Sequence, residues 1–325
     1  MGYNKLVAAL ILVFVACASC SKEQQTSYLP IEGEIEVHLD SIISQPPLNA
    51  MSMVATKDFL VVANAGRDSI IDIYTLPSGE FIGSGVVAGE GPGEIVRPDV
   101  RTLAVINENI INIQTGKPGV SADISLPNLK VTAKSYTLPS QWDFAQAIVP
   151  VDNGYIMQEG SLPNNWALTD NTGNIKTVFH TEIPKSIAEK TSGNEFAQIL
   201  AKTSVGLYSK EAGRMAICYK MFPEIHLFDI NGEKKNILKN DSPWTGDALW
   251  IVGAQSTSGA IYINIHNPSD KDFSESSIIV IDWNGNVKSC YKVPKAVGAF
   301  CVAENIRTIF FTGYHESDYI FKFDI

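Results

Sequence analysis

The chain has 325 residues, 45% of them hydrophobic and 18% charged, which is enough apolar material for a large core and excludes a disordered chain. Lys and Arg number 25 against 35 Asp and Glu, for a formal net charge of −10. That balance lacks the basic footprint of a nucleic-acid binder, and it disfavours phosphate-rich partners.

The first twenty residues differ from the rest. Lys5 supplies a positive flank, and Leu6 to Ala16 is an unbroken apolar run. The run is too short for a membrane span, which takes about 18–20 residues, but it suits the core of a secretory signal. Cys17-Ala18-Ser19-Cys20 follows, and small residues before a cysteine resemble a bacterial lipobox. The expected processing removes residues 1–19 and leaves Cys20 lipidated. Residues 20–30 are then a tether, and residues 31–325 form the folded body. Several acyl chains on one cysteine anchor stably, at about 0.8 kcal/mol per buried CH₂. Ser21-Lys22-Glu23 resembles the short export tags of Bacteroidetes surface lipoproteins, which points to the outer membrane and its exposed face.

Ile35, Val37 and Leu39 alternate with Glu34, Glu36 and His38, the period of a half-buried strand. After it, strand-like runs dominate, including Phe59-Leu60-Val61-Val62-Ala63, Ile261-Tyr262-Ile263-Asn264-Ile265 and Thr308-Ile309-Phe310-Phe311. Only Lys185 to Ala201 has helical spacing, and Ser192-Gly193 interrupts it, so a short helix in a loop is the most it predicts.

One hairpin recurs along the chain. Its turn falls at Gly79, Leu129, Gly173, Gly232 and Gly285, at spacings of 50, 44, 59 and 53 residues. Leu129 marks a degenerate copy. The closest pair is Leu227-Phe228-Asp229-Ile230-Asn231-Gly232 and Val280-Ile281-Asp282-Trp283-Asn284-Gly285, whose Asn-Gly steps predict type I′ turns. A four-stranded blade with its connections takes about 40–50 residues, so the period predicts an all-β, six-bladed β-propeller. The blades are expected over 50–85, 99–138, 143–180, 202–239, 247–293 and 297–325. The last blade lacks its outer strand because the chain stops, and the segment Ile31 to Ile42 is expected to supply it and close the ring.

Between the first two blades lies Gly89-Glu90-Gly91-Pro92-Gly93-Glu94-Ile95-Val96-Arg97-Pro98. It is neither a P-loop nor a dinucleotide fingerprint, because no Gly-Lys-Ser/Thr follows and Pro92 removes a backbone donor. A tight inter-blade turn explains it, with Glu94 or Arg97 at a ligand mouth as the alternative. With the lipobox and the six-fold repeat, this Gly-x-Gly-Pro-Gly-Glu loop resembles the TolB-like six-bladed β-propeller lipoproteins of Bacteroidetes. The resemblance spans the mature chain and implies the fold and the cell envelope. It implies no activity that transfers to residues here.

On a propeller, loops between second and third strands and loops between blades share one face around the central channel. That face should collect Arg67, Arg97, Asp99, Arg101, Trp142, Trp166, Trp244, His266, Tyr314 and His315. The tryptophans suit stacking on sugars or anchoring a protein partner, or else they plug gaps between blades. The five histidines show no metal-ligand spacing, so no metal site or cofactor is expected; calcium stays open, although Asn267-Pro268-Ser269-Asp270-Lys271-Asp272 lacks an EF-hand pattern. Cys218, Cys290 and Cys301 sit in strand-like stretches and read as buried and inert. These features point to a monomeric, non-catalytic envelope lipoprotein that binds a protein partner or a glycan and contacts the membrane through its lipid. The competing expectation is a lactonase-like hydrolase with a channel metal, which rests on analogy of fold alone.

Overall fold

The short β-branched runs fold as strands that pair with their neighbours in sequence. A computed structural model describes residues 25–43, 48–140, 142, 145–151, 153–160, 165–242, 250–268, 270, 272–314, 316 and 318–325. The signal segment and Cys20 lie outside them.

The first strands are β1 (Gln25–Tyr28), β2 (Ile35–Glu36) and β3 (Asp40–Ile43). Blade 1 is β4 (Ala50–Ala55), β5 (Phe59–Asn64), β6 (Ser69–Thr75) and β7 (Phe81–Val87). Blade 2 is β8 (Pro98–Asn107), β9 (Ile110–Thr115), β10 (Val120–Ser125) and β11 (Lys130–Ser135). Blade 3 is β12 (Ala145–Val151), β13 (Gly154–Glu159), β14 (Trp166–Asp170) and β15 (Ile175–Phe179). Helices α1 (Lys185–Lys190) and α2 (Glu195–Ala201) precede blade 4, which is β16 (Ser204–Ser209), β17 (Arg214–Tyr219), β18 (Glu224–Asp229) and β19 (Lys234–Lys239). Blade 5 is β20 (Ile251–Ser256), β21 (Ala260–Ile265), β22 (Ser276–Asp282) and β23 (Val287–Val293). Blade 6 is β24 (Val297–Ala303), β25 (Thr308–Gly313) and β26 (Tyr319–Asp324), completed by β3.

Each blade is an antiparallel meander, and β4, β8, β12, β16, β20 and β24 stand innermost around the axis. Every blade is sandwiched between two others, so its middle strands have no solvent-facing side. On β5, Leu60 and Val62 pack towards blade 6 while Val61 and Ala63 pack towards blade 2. On β17, Met215, Ile217 and Tyr219 face blade 3 and Ala216 and Cys218 face blade 5. Six hydrophobic clusters result, one in each seam of the ring. This is why middle strands such as β5, β21 and β25 read as largely apolar runs rather than alternating ones.

The ring closes as expected, with a difference in register. The outer strand of blade 6 is β3, antiparallel to β26 with Asp40 opposite Lys322 and Ile42 opposite Ile320. The alternating Ile35–Leu39 stretch lies one blade earlier, where β2 runs parallel to β23. Earlier still, β1 lies within the stretch expected as a tether and adds a fifth strand to blade 4, parallel to β19. The N-terminal strap thus crosses the outer edges of blades 4, 5 and 6 in turn. Leu29 is fully buried in the seam between blades 4 and 5. Gly33 is pressed against the Tyr291–Lys292 backbone where no side chain fits.

The repeated hairpins differ from the expected type I′ turns. Gly232 and Gly285 have φ of 83° and 88°, but Asn231 and Asn284 do not enter the left-handed region. Gly285 N donates to Asp282 O (2.9 Å), and the returning strand is bulged at Lys288. The Asp that opens each turn is the reason. Asp282 Oδ1 accepts from Asn284 N (3.0 Å) and Asn286 N (2.9 Å), and Asp229 and Asp170 do the same in their blades. This fixes a turn with one left-handed residue instead of two. The degenerate copy keeps the geometry, with Leu129 itself at φ 54°. Partial burial pushes the Asp282 carboxyl up, but hydrogen bonds from Asn286, Lys288 and Asn284 outweigh it and hold the pKa down to about 2. Depression below an unfolded value near 3.9 stabilises the fold above about pH 4, and the gain is lost as pH falls through about 2. Asp282→Asn should therefore cost about 1–2 kcal/mol at pH 7, the shift being discounted for solvent screening, and most of that cost should be gone at pH 2. Thermal melts of both chains across that range measure it.

The helical stretch breaks where Ser192-Gly193 predicted. Gly193 has φ 79°, and the Asn194 side chain accepts from Ala197 N (3.0 Å) to cap α2. All three body cysteines are buried and unbridged. Burial pushes the Cys218 thiol up to about 12 and Cys290 up to about 11, the latter against a hydrogen bond from the Glu34 backbone, and the Cys290 thiol donates to Glu32 O (3.0 Å).

Candidate functional site

The candidate face is built from the loops between second and third strands and from the inter-blade connections. It surrounds a channel of about 1070 Å³ whose walls are the six innermost strands.

Three of the predicted residues are held in structural work. Arg67 folds onto its own blade, with Nη1 2.6 Å from Oδ2 of the fully buried Asp72. Asn64 and Ser84 also donate to that carboxylate, so blade 1 carries a satisfied polar cluster. Trp142 packs with Tyr136, Ile148 and Met157 in the seam between blades 2 and 3. Trp166 is 1% exposed; its Nε1 donates to Ser204 Oγ (3.1 Å) and its ring lies against Gly206, where a Cβ would collide. Trp244 and His315 lie outside the described residues.

The glycine loop closes on itself. Gly91 N donates to Glu94 Oε2 (2.7 Å), Glu94 N to Gly91 O (3.1 Å), and Gly89 N to Ile95 O (3.0 Å). The Glu94 carboxylate fills the space a side chain at Gly89 would need. Gly93 supplies φ 81°, Pro92 is exposed, and Arg97 is exposed with φ 47°.

Asp99 and Arg101 sit at the channel mouth as a bidentate pair, Nε–Oδ1 2.8 Å and Nη2–Oδ2 2.9 Å. Burial pushes the Asp99 carboxyl up, and the Arg101 hydrogen bonds and charge bring it below its ordinary value.

His266 and Tyr314 come together, and a third ring joins them. His266 begins the loop after β21 and is 2% exposed. Its ring centroid is 5.8 Å from that of Phe273 and 6.2 Å from that of Tyr314. Phe273 and Tyr314 stack on each other at 5.8 Å with an interplanar angle of 14°, and they are 38% and 53% exposed. Burial lowers the His266 pKa, which favours the neutral ring, and its Nε2 has no hydrogen-bond partner among the described residues. Phe273 was not singled out by the sequence. It sits in a polar loop at φ 46°, and Asp270 shapes that loop by accepting from Ser274 N (2.8 Å) and Ser274 Oγ (3.0 Å). A lone aromatic between Asp272 and Ser274 was the available signal.

Another polar chain is buried in the seam between blades 3 and 4. Glu224 Oε1 and His226 Nε2 are 2.5 Å apart, and Tyr219 Oη donates to Glu182 O (2.9 Å). Among the described residues, no group of three or more His, Cys, Asp or Glu side chains is placed to hold a metal ion. Among the same residues, no helix is long and apolar enough to cross a membrane.

These features define an all-β six-bladed propeller with a solvent-facing aromatic rim. Solved structures share that fold at low identity. The "putative exported protein" of Bacteroides fragilis is 10% identical with a TM-score of 0.56, over 92% of this chain and 98% of that one. The structure of U3-55K is 9% identical with a TM-score of 0.54, over 91% and 100%. A member of the DUF4221 family from Bacteroides vulgatus is 11% identical with a TM-score of 0.49, over 88% and 97%. No protein-family model and no curated protein matches the chain.

Proposed function

We propose that this protein is a non-catalytic binding module of the bacterial envelope, held at the outer membrane by an acylated Cys20, that captures a glycan on its aromatic rim. The observation that carries this reading is the exposed, parallel Phe273–Tyr314 pair. Two flat, parallel rings at a surface suit the apolar face of a sugar ring. Asp272 and Ser274 flank Phe273 with polar groups that could orient hydroxyls. The buried neutral His266 packs beneath as a support.

Phe273→Ala with Tyr314→Ala should weaken binding of the best glycan from an array at least tenfold. Because both rings are exposed, the melting temperature should hardly move. Unchanged glycan affinity would remove the rim from the site. Capture of an envelope protein that needs both rings would favour a protein partner instead. For the anchor, Cys20→Ala should abolish labelling by a fatty-acid analogue and release the chain from outer-membrane fractions. Retention of the variant there would count against lipidation.

A further inference from the structure

Among the described residues, the channel mouth holds a cation, Lys220, that makes no ion pair. Most polar groups along the wall are already paired. Ser52 Oγ donates to Val100 O, Thr102 Oγ1 to Asp99 O (2.7 Å), and Gln255 Nε2 to Met53 O and Phe300 O (2.9 and 2.6 Å). Ser204 Oγ accepts from Trp166 Nε1 (3.1 Å). Lys220 lines the same channel from the loop between β17 and β18, and it makes no ion pair among the described residues. Its backbone is fastened on two sides. Lys220 N donates to Thr203 O (2.9 Å), and Lys220 O accepts from Trp250 N (2.8 Å) and Ile251 N (3.1 Å). The ammonium therefore projects from a fixed point between blades 4 and 5. Burial depresses its pKa, and the positive charge of Arg101 depresses it further. Asp99 is already engaged by Arg101 in both oxygens.

A half-buried ammonium with no ion-pair partner among the described residues is costly unless an anion completes it. We propose that the mouth of the central channel is a binding site for a small organic carboxylate, held by Lys220 with Arg101 at its side. A monoanion fits better than a phosphate dianion, because the chain as a whole carries a net charge of −10 and repels the second charge more strongly. A channel of about 1070 Å³ has room for a ligand of sugar-acid size. This site uses different residues from the aromatic rim, and it stands whether or not the rim binds a glycan.

The test is calorimetric titration of the full chain in detergent with glucuronate, glucose and glucose 6-phosphate. Glucuronate should bind and glucose should not. Lys220→Met should weaken glucuronate at least tenfold, and Lys220→Arg should retain most of the affinity. Without ligand, the Lys220→Met chain should melt at or above the wild-type temperature, since it loses an uncompensated charge. No glucuronate binding, equal binding of glucose, or wild-type affinity in Lys220→Met would each overturn the proposal. A lower melting temperature for ligand-free Lys220→Met would overturn it as well, by showing that the ammonium already has a stabilising partner. Tighter binding of glucose 6-phosphate than of glucuronate would overturn the carboxylate assignment.

Discussion

A chain that begins at residue 48 should melt about 10 °C or more below one that begins at residue 25, and it should aggregate where the longer chain stays monomeric. The missing strap is only 19 described residues, yet it covers the edges of three blades. Leu29 is fully buried by it, and Ile31, Val37, Leu39 and Ile42 pack partly into three seams. Backbone bonds add to this, including Leu29 N to Lys239 O (2.8 Å) and Glu34 N to Cys290 O (2.9 Å). Burial of one leucine contributes about 2 kcal/mol and the partly buried residues add less each, so a net loss of about 5 kcal/mol is expected after the ordering entropy of the strap is returned. For a chain of this size each kcal/mol moves Tm by about 2–4 °C. Removal would also bare the edges of β19, β23 and β26 together, and unpaired edges template association. Scanning calorimetry and light scattering on the two chains measure both effects. Equal melting temperatures would mean that the strap is an ornament and that the ring closes without it.

The second large effect is expected from Trp166→Ala, with a loss of about 3–5 kcal/mol and no change in the rim. Trp166 is among the largest fully buried side chains, and Met215 and Gly206 leave a space shaped for its ring. Truncation opens a cavity between blades 3 and 4. It also takes from Ser204 Oγ its shorter hydrogen bond, leaving Gln158 Nε2 at 3.4 Å. The remaining folded protein should still bind through Phe273 and Tyr314. Denaturant melts and binding measured on the folded fraction separate the two roles. A folded variant of wild-type stability that has lost ligand would instead place Trp166 in the site.

Much of the fold was legible because a propeller repeats a local unit. Gly79, Gly173, Gly232 and Gly285 mark hairpins whose conformation is set within five residues, and Leu129 keeps the left-handed geometry without the glycine. The unpaired last hairpin announced a closing strand. The candidate site was legible only in part. His266 and Tyr314 are 48 residues apart in sequence, and they meet because each follows the second strand of adjacent blades. Phe273 was missed because nothing local separates an exposed platform ring from an incidental loop aromatic. Trp142 and Trp166 looked like surface anchors because polar residues flank them, but a strand or loop end can dip into a seam without changing its neighbours.

The sequence by itself determined the number of blades, their boundaries, the hairpin positions and the break in the helical insertion. Each of these depends on period, turn chemistry or apolar runs within a few dozen residues. The tertiary structure decided the path of the strap over blades 4 to 6, which tryptophans fill seams, and which side chains share the channel mouth. Those features depend on edges and loops that meet only after the ring closes, and contacts between distant segments leave no local pattern.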